Sequence, residues 1–235
     1  MKKTLSIIVP VYNEINTIKV VIQRLKKLTL YKNLKKEILI VDDFSTDGTI
    51  EYLKKIKKKS INFKFIFKKK NKGKGHSQKL CKNLTKGDFV AIHDADLEYD
   101  PNDLNKLLKI AIDHDKEFVI GYRDLSIDFK HLYFILRETV VKSISLFTSI
   151  LYNQHIKDVS CCHRLFSKRV WKNISPKGNR FDYDYSIICK ALLITKKVGQ
   201  CKIRYKSRSY DDGKKNSWYV AIQAIIRITL DRIIN

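Results

Sequence analysis

Short apolar runs alternate with amphipathic stretches over the first 123 residues, and this alternation limits the fold more than any other feature. The first run, residues 4–11, is β-branched and apolar, which is typical of a buried strand. Apolar residues then recur at helical spacing over residues 15–28 above a basic outer face. Strands that alternate with helices form βαβ units, and these build a largely parallel sheet. The pattern therefore predicts an α/β fold with a mostly parallel central sheet and helices on both faces.

Polar groups follow four of the predicted strands at the point where each strand ends. The later strands are predicted at EILIVDD (37–43), FKFIF (63–67), DFVAIHDAD (88–96) and EFVIGYR (117–123), with helices at 50–59, 77–84 and 101–114 between them. The polar groups are Tyr12–Glu14, Asp42–Asp47, Asp94–Glu98 and Tyr122–Arg123. Ligands of open α/β sheets bind at the carboxyl ends of the strands, so we expect these groups to meet in one crevice.

Three acidic residues alternate with apolar ones after the predicted strand at 88–96. Asp94, Asp96 and Glu98 share a period of two, and on an extended segment such side chains point the same way. Carboxylate oxygens suit Mg²⁺ or Mn²⁺, which bind through one or two carboxylates plus substrate phosphates. The alternative interpretation is a solvated turn that ends the strand.

The formal net charge of +24 predicts an anionic partner, and three kinds fit: nucleic acid, an anionic membrane face, or phosphorylated small molecules. No helix-turn-helix, RNP motif or zinc spacing is evident, which disfavours nucleic acid. The five cysteines lack CxxC spacing, as expected of reduced thiols. The N-terminal apolar run is too brief for a signal peptide, and no run reaches the roughly 18 uncharged residues of a membrane span. These features predict a cytoplasmic protein.

The second half contains two apolar stretches interrupted by charges, at residues 131–152 and 218–235. Each suits either a core helix or an amphipathic helix in the membrane interface, next to lipid or a membrane-protein partner. The basic loop KKKNKGKG (68–75) lacks the spacing of a Walker A motif. Lys72 and Lys74 in this loop either neutralise donor phosphates or belong to a solvated charge run. No linker or repeat divides the chain, so residues 1–235 are predicted to form a single domain.

Motifs along nearly the whole chain resemble those of the family 2 inverting glycosyltransferases. SIIVPVYNE, IVDDFSTDGT, NKGKG, GDFVAIHDADLEYDP and VIGYR occur in that family's order and spacing, and KDVSCCHRLFSK and YKSRSYDDGKK resemble its polyprenyl (dolichol) phosphate mannosyl- and glucosyltransferase branch. The resemblance implies the GT-A fold, a Rossmann-like α/β sheet with C-terminal amphipathic helices. Residues 1–123 would bind a nucleotide sugar, and residues 124–235 would bind the acceptor next to the membrane. Cys162 and His163 depart from the family, which often has a small residue and Phe or Tyr there.

The resemblance also assigns roles to individual residues. The nucleotide-sugar site would comprise Pro10, Tyr12, Glu14, Asp42, Asp43, Lys74 and Asp94, and the metal ligands would be Asp94, Asp96 and Glu98. The catalytic residues would be Asp96, Asp158 and Arg123. The acceptor phosphate would contact Arg123, Arg137, Arg208, Lys214 and Lys215.

The implied reaction is transfer of mannose or glucose, with inversion and with Mg²⁺ or Mn²⁺, from a GDP- or UDP-linked donor to a polyprenyl phosphate at the cytoplasmic membrane face. A phosphomonoester is largely ionised near neutral pH, so its attacking oxygen needs little help from a base. The alternative acceptor is a saccharide hydroxyl in cell-surface polysaccharide synthesis, for which Asp158 or Asp184 would be the base.

Overall fold

One seven-stranded sheet runs through the computed structural model, which describes residues 2–57, 63–123, 132–207 and 219–234, with only the backbone at 132–137 and 219. The strands are β1 (Thr4–Val11), β2 (Lys35–Asp42), β3 (Phe63–Phe67), β4 (Phe89–Ile92), β5 (Phe118–Arg123), β6 (Arg164–Ser167) and β7 (Val198–Ile203). The helices are α1 (Ile15–Lys27), α2 (Thr49–Lys57), α3 (Lys74–Cys81), α4 (Leu104–Asp113), α5 (Leu132–Tyr152), α6 (Lys168–Asn173), α7 (Phe181–Ile194) and α8 (Tyr219–Ile233).

The strand order is β3-β2-β1-β4-β6-β5-β7, and only β6 runs antiparallel to its neighbours. The predicted mostly parallel α/β sheet is therefore confirmed. The chain proceeds from β1 to β2 and β3 on one side, and then returns to place β4 on the other side of β1. The carboxyl ends of β1 and β4 consequently flank the topological switch point, where open α/β sheets form their ligand crevice.

The strands and helices of the first 123 residues lie within a few residues of their predicted positions. Residues 5–11 of β1 are all buried, and α1 buries the apolar face that its spacing predicts. Two of the boundary differences affect the site: β4 ends at Ile92 instead of continuing through Asp96, and α3 begins at Lys74 instead of near Ser77. In the second half, β6, β7, α6 and α7 were not predicted. β6 has only four residues and begins with arginine, and β7 contains glutamine and lysine, which weakens the apolar signal of each strand.

The two C-terminal apolar stretches form α5 and α8, which pack against each other. The Tyr152 hydroxyl donates a hydrogen bond to the Ile228 carbonyl oxygen at 2.9 Å, and Ile228 is fully buried. The opposite sides of both helices expose large apolar side chains, including Leu146, Ile150 and Ile226. Each helix thus has one face in the core and one face outside it. Among the described residues, no helix combines the length and hydropathy needed to cross a bilayer.

We expect Leu165→Ala to destabilise the fold because Leu165 is fully buried at the centre of β6, between β4 and β5. Truncating a buried leucine leaves a cavity and costs about 2–5 kcal/mol of unfolding free energy. Urea denaturation measures this loss. Leu146→Ala is the control, because Leu146 is 62% exposed and its truncation should change the free energy by no more than about 0.5 kcal/mol. Equal effects of the two substitutions would contradict the central position of β6.

Candidate active site

The turns that follow β1 and β2 are joined by hydrogen bonds at the carboxyl edge of the sheet. The Asn13 amide donates to the Ser45 hydroxyl at 2.9 Å, and the Thr46 amide donates to the Asn13 side-chain oxygen at 2.8 Å. The Glu14 amide donates to the Thr49 hydroxyl at 3.1 Å. The structure therefore brings Tyr12–Glu14 together with the Asp42–Asp47 segment.

Asp42 and Asp43 are buried, and both use their carboxylates to shape loops. Asp42 accepts hydrogen bonds from the Ser45 hydroxyl at 2.6 Å and the Ser45 amide at 3.1 Å. Burial raises the pKa of Asp42, although the bonds from Ser45 oppose this. Asp43 accepts from the amides of Lys72 at 2.9 Å and Gly73 at 2.6 Å, and it pairs with Lys68. The structure thus gives Asp43 a task that the sequence did not suggest, which is to fix the loop before α3.

The other predicted nucleotide-binding residues of β1 differ in exposure. Pro10 is buried in the sheet beside Val41, so it supports the crevice from within. Tyr12 is 36% exposed, and Glu14 accepts a hydrogen bond from the Thr17 hydroxyl at 2.6 Å. The turn after β2 exposes a second aromatic, Phe44, which is 45% exposed and has a φ of +65°. Sequence reasoning missed Phe44, whose only signal is its place between Asp43 and Ser45.

Lys74 lies at the centre of a cluster of charges that joins four parts of the chain. Its ammonium nitrogen lies 2.8 and 2.9 Å from the two carboxylate oxygens of Asp94, 3.5 Å from Asp184 Oδ2 and 3.3 Å from Cys162 Sγ. On the far side, Arg164 Nη1 donates to Asp184 Oδ1 at 3.1 Å. Burial lowers the pKa of Lys74, but Asp184 and Asp94 raise it well above its ordinary value. The ammonium is therefore firmly charged.

Asp94 and Asp96 do not lie on an extended strand, so this part of the prediction was wrong. The chain turns at Ala95–Asp96, and Leu97 has a φ of +62°. The Asp96 carboxylate accepts the Glu98 amide at 3.1 Å, a local hydrogen bond that stabilises a turn instead of a strand. Burial raises the pKa of Asp94, but the charge and hydrogen bond of Lys74 bring it below its usual value.

Arg123 and Asp158 form a buried bidentate ion pair. Arg123 Nε lies 2.7 Å from Asp158 Oδ2, and Nη2 lies 2.9 Å from Oδ1, with both side chains 5% exposed. The Tyr205 ring packs on the guanidinium at 4.9 Å. The resemblance implied catalytic roles for both residues and a contact of Arg123 with the acceptor phosphate, but it did not pair them. In the structure they form one unit with a fixed geometry.

Two buried histidines lie next to the cluster of charges around Lys74. His93 Nδ1 and His163 Nε2 are 2.8 Å apart, and the Tyr99 ring stacks on His163 at 4.8 Å. The Cys162 amide donates to the Tyr99 hydroxyl at 3.3 Å, which connects the pair to the Lys74 cluster. Burial lowers the pKa of His93 to about 4, and burial with the neighbouring His93 lowers the pKa of His163 to about 3. Both imidazoles are therefore neutral at pH 7.

Four of the predicted acceptor-phosphate contacts fall outside what the structure describes. Arg137 lies on α5, but its side chain is not described. Arg208, Lys214 and Lys215 lie outside the described residues. Their proposed contacts with phosphate stay predictions.

Comparison with known proteins identifies the family. The sequence profile of "Glycosyl transferase family 2" matches residues 6–175, which is more than half of the chain. The chain belongs to glycosyltransferase family 2. It is therefore a glycosyltransferase, as the motifs of the sequence predict.

Relatives of this family 2 glycosyltransferase extend over nearly its whole length. The UDP-N-acetylglucosamine–dolichyl-phosphate N-acetylglucosaminyltransferase of Methanococcus voltae is 26% identical over 248 residues, covering 97% of this chain and 96% of the relative. The dolichyl-phosphate beta-glucosyltransferase of Dictyostelium discoideum is 26% identical over 241 residues, covering 95% of this chain and 73% of the relative.

The solved structures that resemble this family 2 glycosyltransferase include glucosyl-3-phosphoglycerate synthase from Mycobacterium tuberculosis. Its complex with Mn²⁺, UDP and glucosyl-3-phosphoglycerate superposes with a TM-score of 0.71 at 17% identity, covering 98% of this chain and 80% of that one. A second crystal structure of that synthase contains Mg²⁺ and UDP. At this level of identity the likeness concerns the fold, and the predicted GT-A fold is confirmed.

The residues at the end of β4 fit a small divalent cation. The carboxylates of Asp94 and Asp96 supply the hard oxygen donors that Mg²⁺ and Mn²⁺ prefer. Asp94 already faces a cation, because it holds the ammonium of Lys74. Within the described ranges, no three histidine, cysteine or acidic side chains are grouped closely enough to hold a metal ion by themselves. The donor set instead suits an ion that takes its other ligands from substrate phosphates and water.

The histidine pair predicts a pH dependence of stability. The folded-state pKa values of about 4 and about 3 lie below the ordinary value of 6.5, so unfolding takes up protons between these limits. Stability should be full above about pH 6.5 and fall as the pH decreases toward 4, by up to about 1.4 kcal/mol per pH unit for each histidine. His163→Phe keeps a ring beside Tyr99 and removes one titrating group. The change of unfolding free energy with pH should therefore correspond to the uptake of about one proton fewer.

Urea denaturation at several pH values between 4.5 and 7 measures this slope. His114→Gln is the matched control, because His114 is exposed at the end of α4. The same slope in wild type and His163→Phe would contradict a neutral, buried His163.

Proposed function

We propose that this glycosyltransferase moves a hexose, mannose or glucose, with inversion from a GDP- or UDP-linked donor to a polyprenyl phosphate at the cytoplasmic membrane face, using Mg²⁺ or Mn²⁺. The proposal rests chiefly on the set of paired charges at the carboxyl edge of the sheet. Lys74 lies between Asp94 and Asp184, Arg164 pairs with the other side of Asp184, and Arg123 pairs with Asp158. Relatives named for dolichyl phosphate, matched over nearly the whole chain, support the choice of acceptor.

The donor nucleoside would lie at the turns that follow β1 and β2. Tyr12 offers a partly exposed ring for the base, and Glu14 lies in the same turn. The carboxylates of Asp42 and Asp43 already hold Ser45 and the Lys72–Gly73 backbone. We therefore assign them the role of shaping the nucleotide pocket. Because the two turns are hydrogen-bonded to each other, this pocket is formed before the donor arrives.

The donor diphosphate would lie at the end of β4, where Asp94 and Asp96 would hold the cation and Lys74 supplies a further positive charge. The bound cation would stabilise the negative charge that develops on the leaving diphosphate. Glu98 keeps its predicted role as a further ligand. With its amide bound to Asp96, Glu98 is in position to stiffen the same turn.

The acceptor phosphate would meet Arg123. The carboxylate of Asp158 fixes the plane of this guanidinium, and Tyr205 covers one of its faces. A preorganised arginine orients phosphate oxygens without losing side-chain freedom on binding. Arg137, Arg208, Lys214 and Lys215 complete the proposed phosphate contacts.

A hydroxyl acceptor, the alternative, would require a base. The two candidates already have partners, since both oxygens of Asp158 accept hydrogen bonds from Arg123 and the oxygens of Asp184 face Arg164 and Lys74. Neither is placed to take a proton unless its ion pair first opens. A phosphate nucleophile needs no such base, which favours the polyprenyl phosphate.

A donor and acceptor screen tests the function. Purified protein with a short-chain prenyl phosphate and Mg²⁺ or Mn²⁺ should release nucleoside diphosphate from one of UDP-glucose, UDP-GlcNAc, GDP-mannose or GDP-glucose. The lipid product should carry the inverted anomeric configuration by NMR. Transfer to saccharides and never to prenyl phosphate would reject the proposed acceptor.

Asp96→Ala tests the metal role. We expect kcat/KM to fall by about 100-fold or more, because a charge that stabilises the leaving group is lost. Asp115→Ala removes a carboxylate that is 84% exposed in a surface ion pair with Lys197, and it should leave the rate unchanged. An Asp96→Ala enzyme as fast as the Asp115→Ala control would exclude Asp96 from the metal site.

A further inference from the structure

The ammonium of Lys74 occupies the side of Asp94 that a metal ion would need. Its nitrogen lies within 2.9 Å of both Asp94 oxygens, so the whole carboxylate already faces a cation. A divalent cation bound to the same oxygens would lie within a few ångströms of the ammonium and be repelled by it. Lys74 and a divalent cation therefore compete for Asp94.

The local charges show which group can leave. Asp94 and Asp184 carry two negative charges, and Lys74 and Arg164 balance them. Arg164 is 1% exposed, starts a central strand and donates from Nε to the Cys161 carbonyl at 2.7 Å, so it is fixed. Lys74 has a side chain that is 24% exposed on a flexible stem. Among these four groups, Lys74 is the cation that can move.

The backbone of Lys74 does not need to move for this exchange. Asp43 holds the amides of Lys72 and Gly73, and Lys74 begins α3. A methyl group added at Gly73 would lie 2.4 Å from the Asn179 carbonyl oxygen, and one at Gly75 would lie 2.4 Å from Tyr183 Cβ. The backbone is therefore closely packed at both glycines that flank Lys74. The exchange needs only the lysine side chain to move.

We propose that the ammonium of Lys74 is the counter-ion of Asp94 as long as no donor is bound. When a divalent cation and the donor diphosphate bind together, this ammonium leaves Asp94 and pairs with the diphosphate. This inference rests on the proposed function. Without the diphosphate, the displaced ammonium would remain beside Asp184 and keep repelling the metal. With it, the ammonium gains a new anion, and Asp94 is released for the metal.

The exchange makes metal and nucleotide binding depend on each other. Each ligand should raise the affinity of the protein for the other by the same factor, because coupling between two binding sites is reciprocal. Lys74 would thus prevent the enzyme from holding metal without a donor. Removing the ammonium should raise metal affinity in the nucleotide-free protein and weaken nucleotide binding, two effects of opposite sign.

Electron paramagnetic resonance of Mn²⁺ tests this without any turnover. Free Mn²⁺ is titrated against wild-type, Lys74→Met and Lys74→Arg protein, each alone and with saturating UDP or GDP. We expect Lys74→Met alone to bind Mn²⁺ about tenfold more tightly than wild type alone, because the repelling charge is gone. Lys74→Arg keeps the charge and should bind Mn²⁺ as weakly as wild type.

Lys70→Met is the matched control, because it removes the same charge from an exposed site in the same loop. It should match wild type in every arm, which separates the local effect from the general loss of positive charge. Circular dichroism melting shows whether Lys74→Met is folded. If it is not, the proposal is tested by the Mn²⁺ affinities of wild type and Lys74→Arg with and without nucleotide. In that case, wild-type Mn²⁺ affinity must still rise at least about tenfold with nucleotide.

Equal Mn²⁺ affinity of Lys74→Met and wild type in the nucleotide-free state would overturn the exchange while leaving the metal-dependent transferase intact. So would wild-type Mn²⁺ affinity that is unchanged by nucleotide. No Mn²⁺ binding by any variant with either nucleotide would instead overturn both this inference and the metal dependence on which it rests. The two failures are therefore distinguishable.

Discussion

The pairing of β4 with the short antiparallel strand β6 brings Asp94 to the same edge of the sheet as Arg164 and the segment that precedes it. In this pairing Ile92, the last residue of β4, lies opposite Arg164, the first residue of β6. The segment that leaves β4 and the segment that enters β6 therefore lie at the same edge of the sheet, although they are far apart in sequence. A parallel β6 would have placed Asp158 and Cys162 at the opposite edge, away from Asp94.

This edge is electrically balanced in a chain of net charge +24. Buried carboxylates pair with buried or half-buried cations, as in Asp94 with Lys74 and Asp158 with Arg123. Buried ion pairs add little net stability, because desolvation offsets most of the attraction. What such pairs do supply is fixed geometry, provided that their hydrogen bonds are complete. The excess positive charge lies elsewhere on the surface, and such charge favours anionic partners in general without specifying a site.

The sequence predicted the parallel half of the fold well because its strands are buried on both sides and appear as continuous apolar runs. It missed β6 and β7 because a four-residue strand that begins with arginine, and a strand that alternates with polar residues, do not show this signal. The strand ends were predicted to converge, and those of β1 and β2 do. The pairing of Arg123 with Asp158 was not foreseen, because nothing in the sequence relates residues 35 positions apart across a strand edge. The turn at Asp96 was missed for a local reason, since its own carboxylate competes with the extended conformation.

A carboxylate also connects the turn after β2 with the loop that precedes α3. Asp43 directly follows β2, and its carboxylate accepts two backbone amides from the loop that leads to Lys74. One carboxylate therefore ties the end of β2 to the two residues that precede α3. Since the loop is also packed against residues 179–183, the backbone on either side of Lys74 is held in place. A rigid backbone that carries one movable charge lets the site distinguish a nucleotide with its diphosphate in place from a metal ion alone.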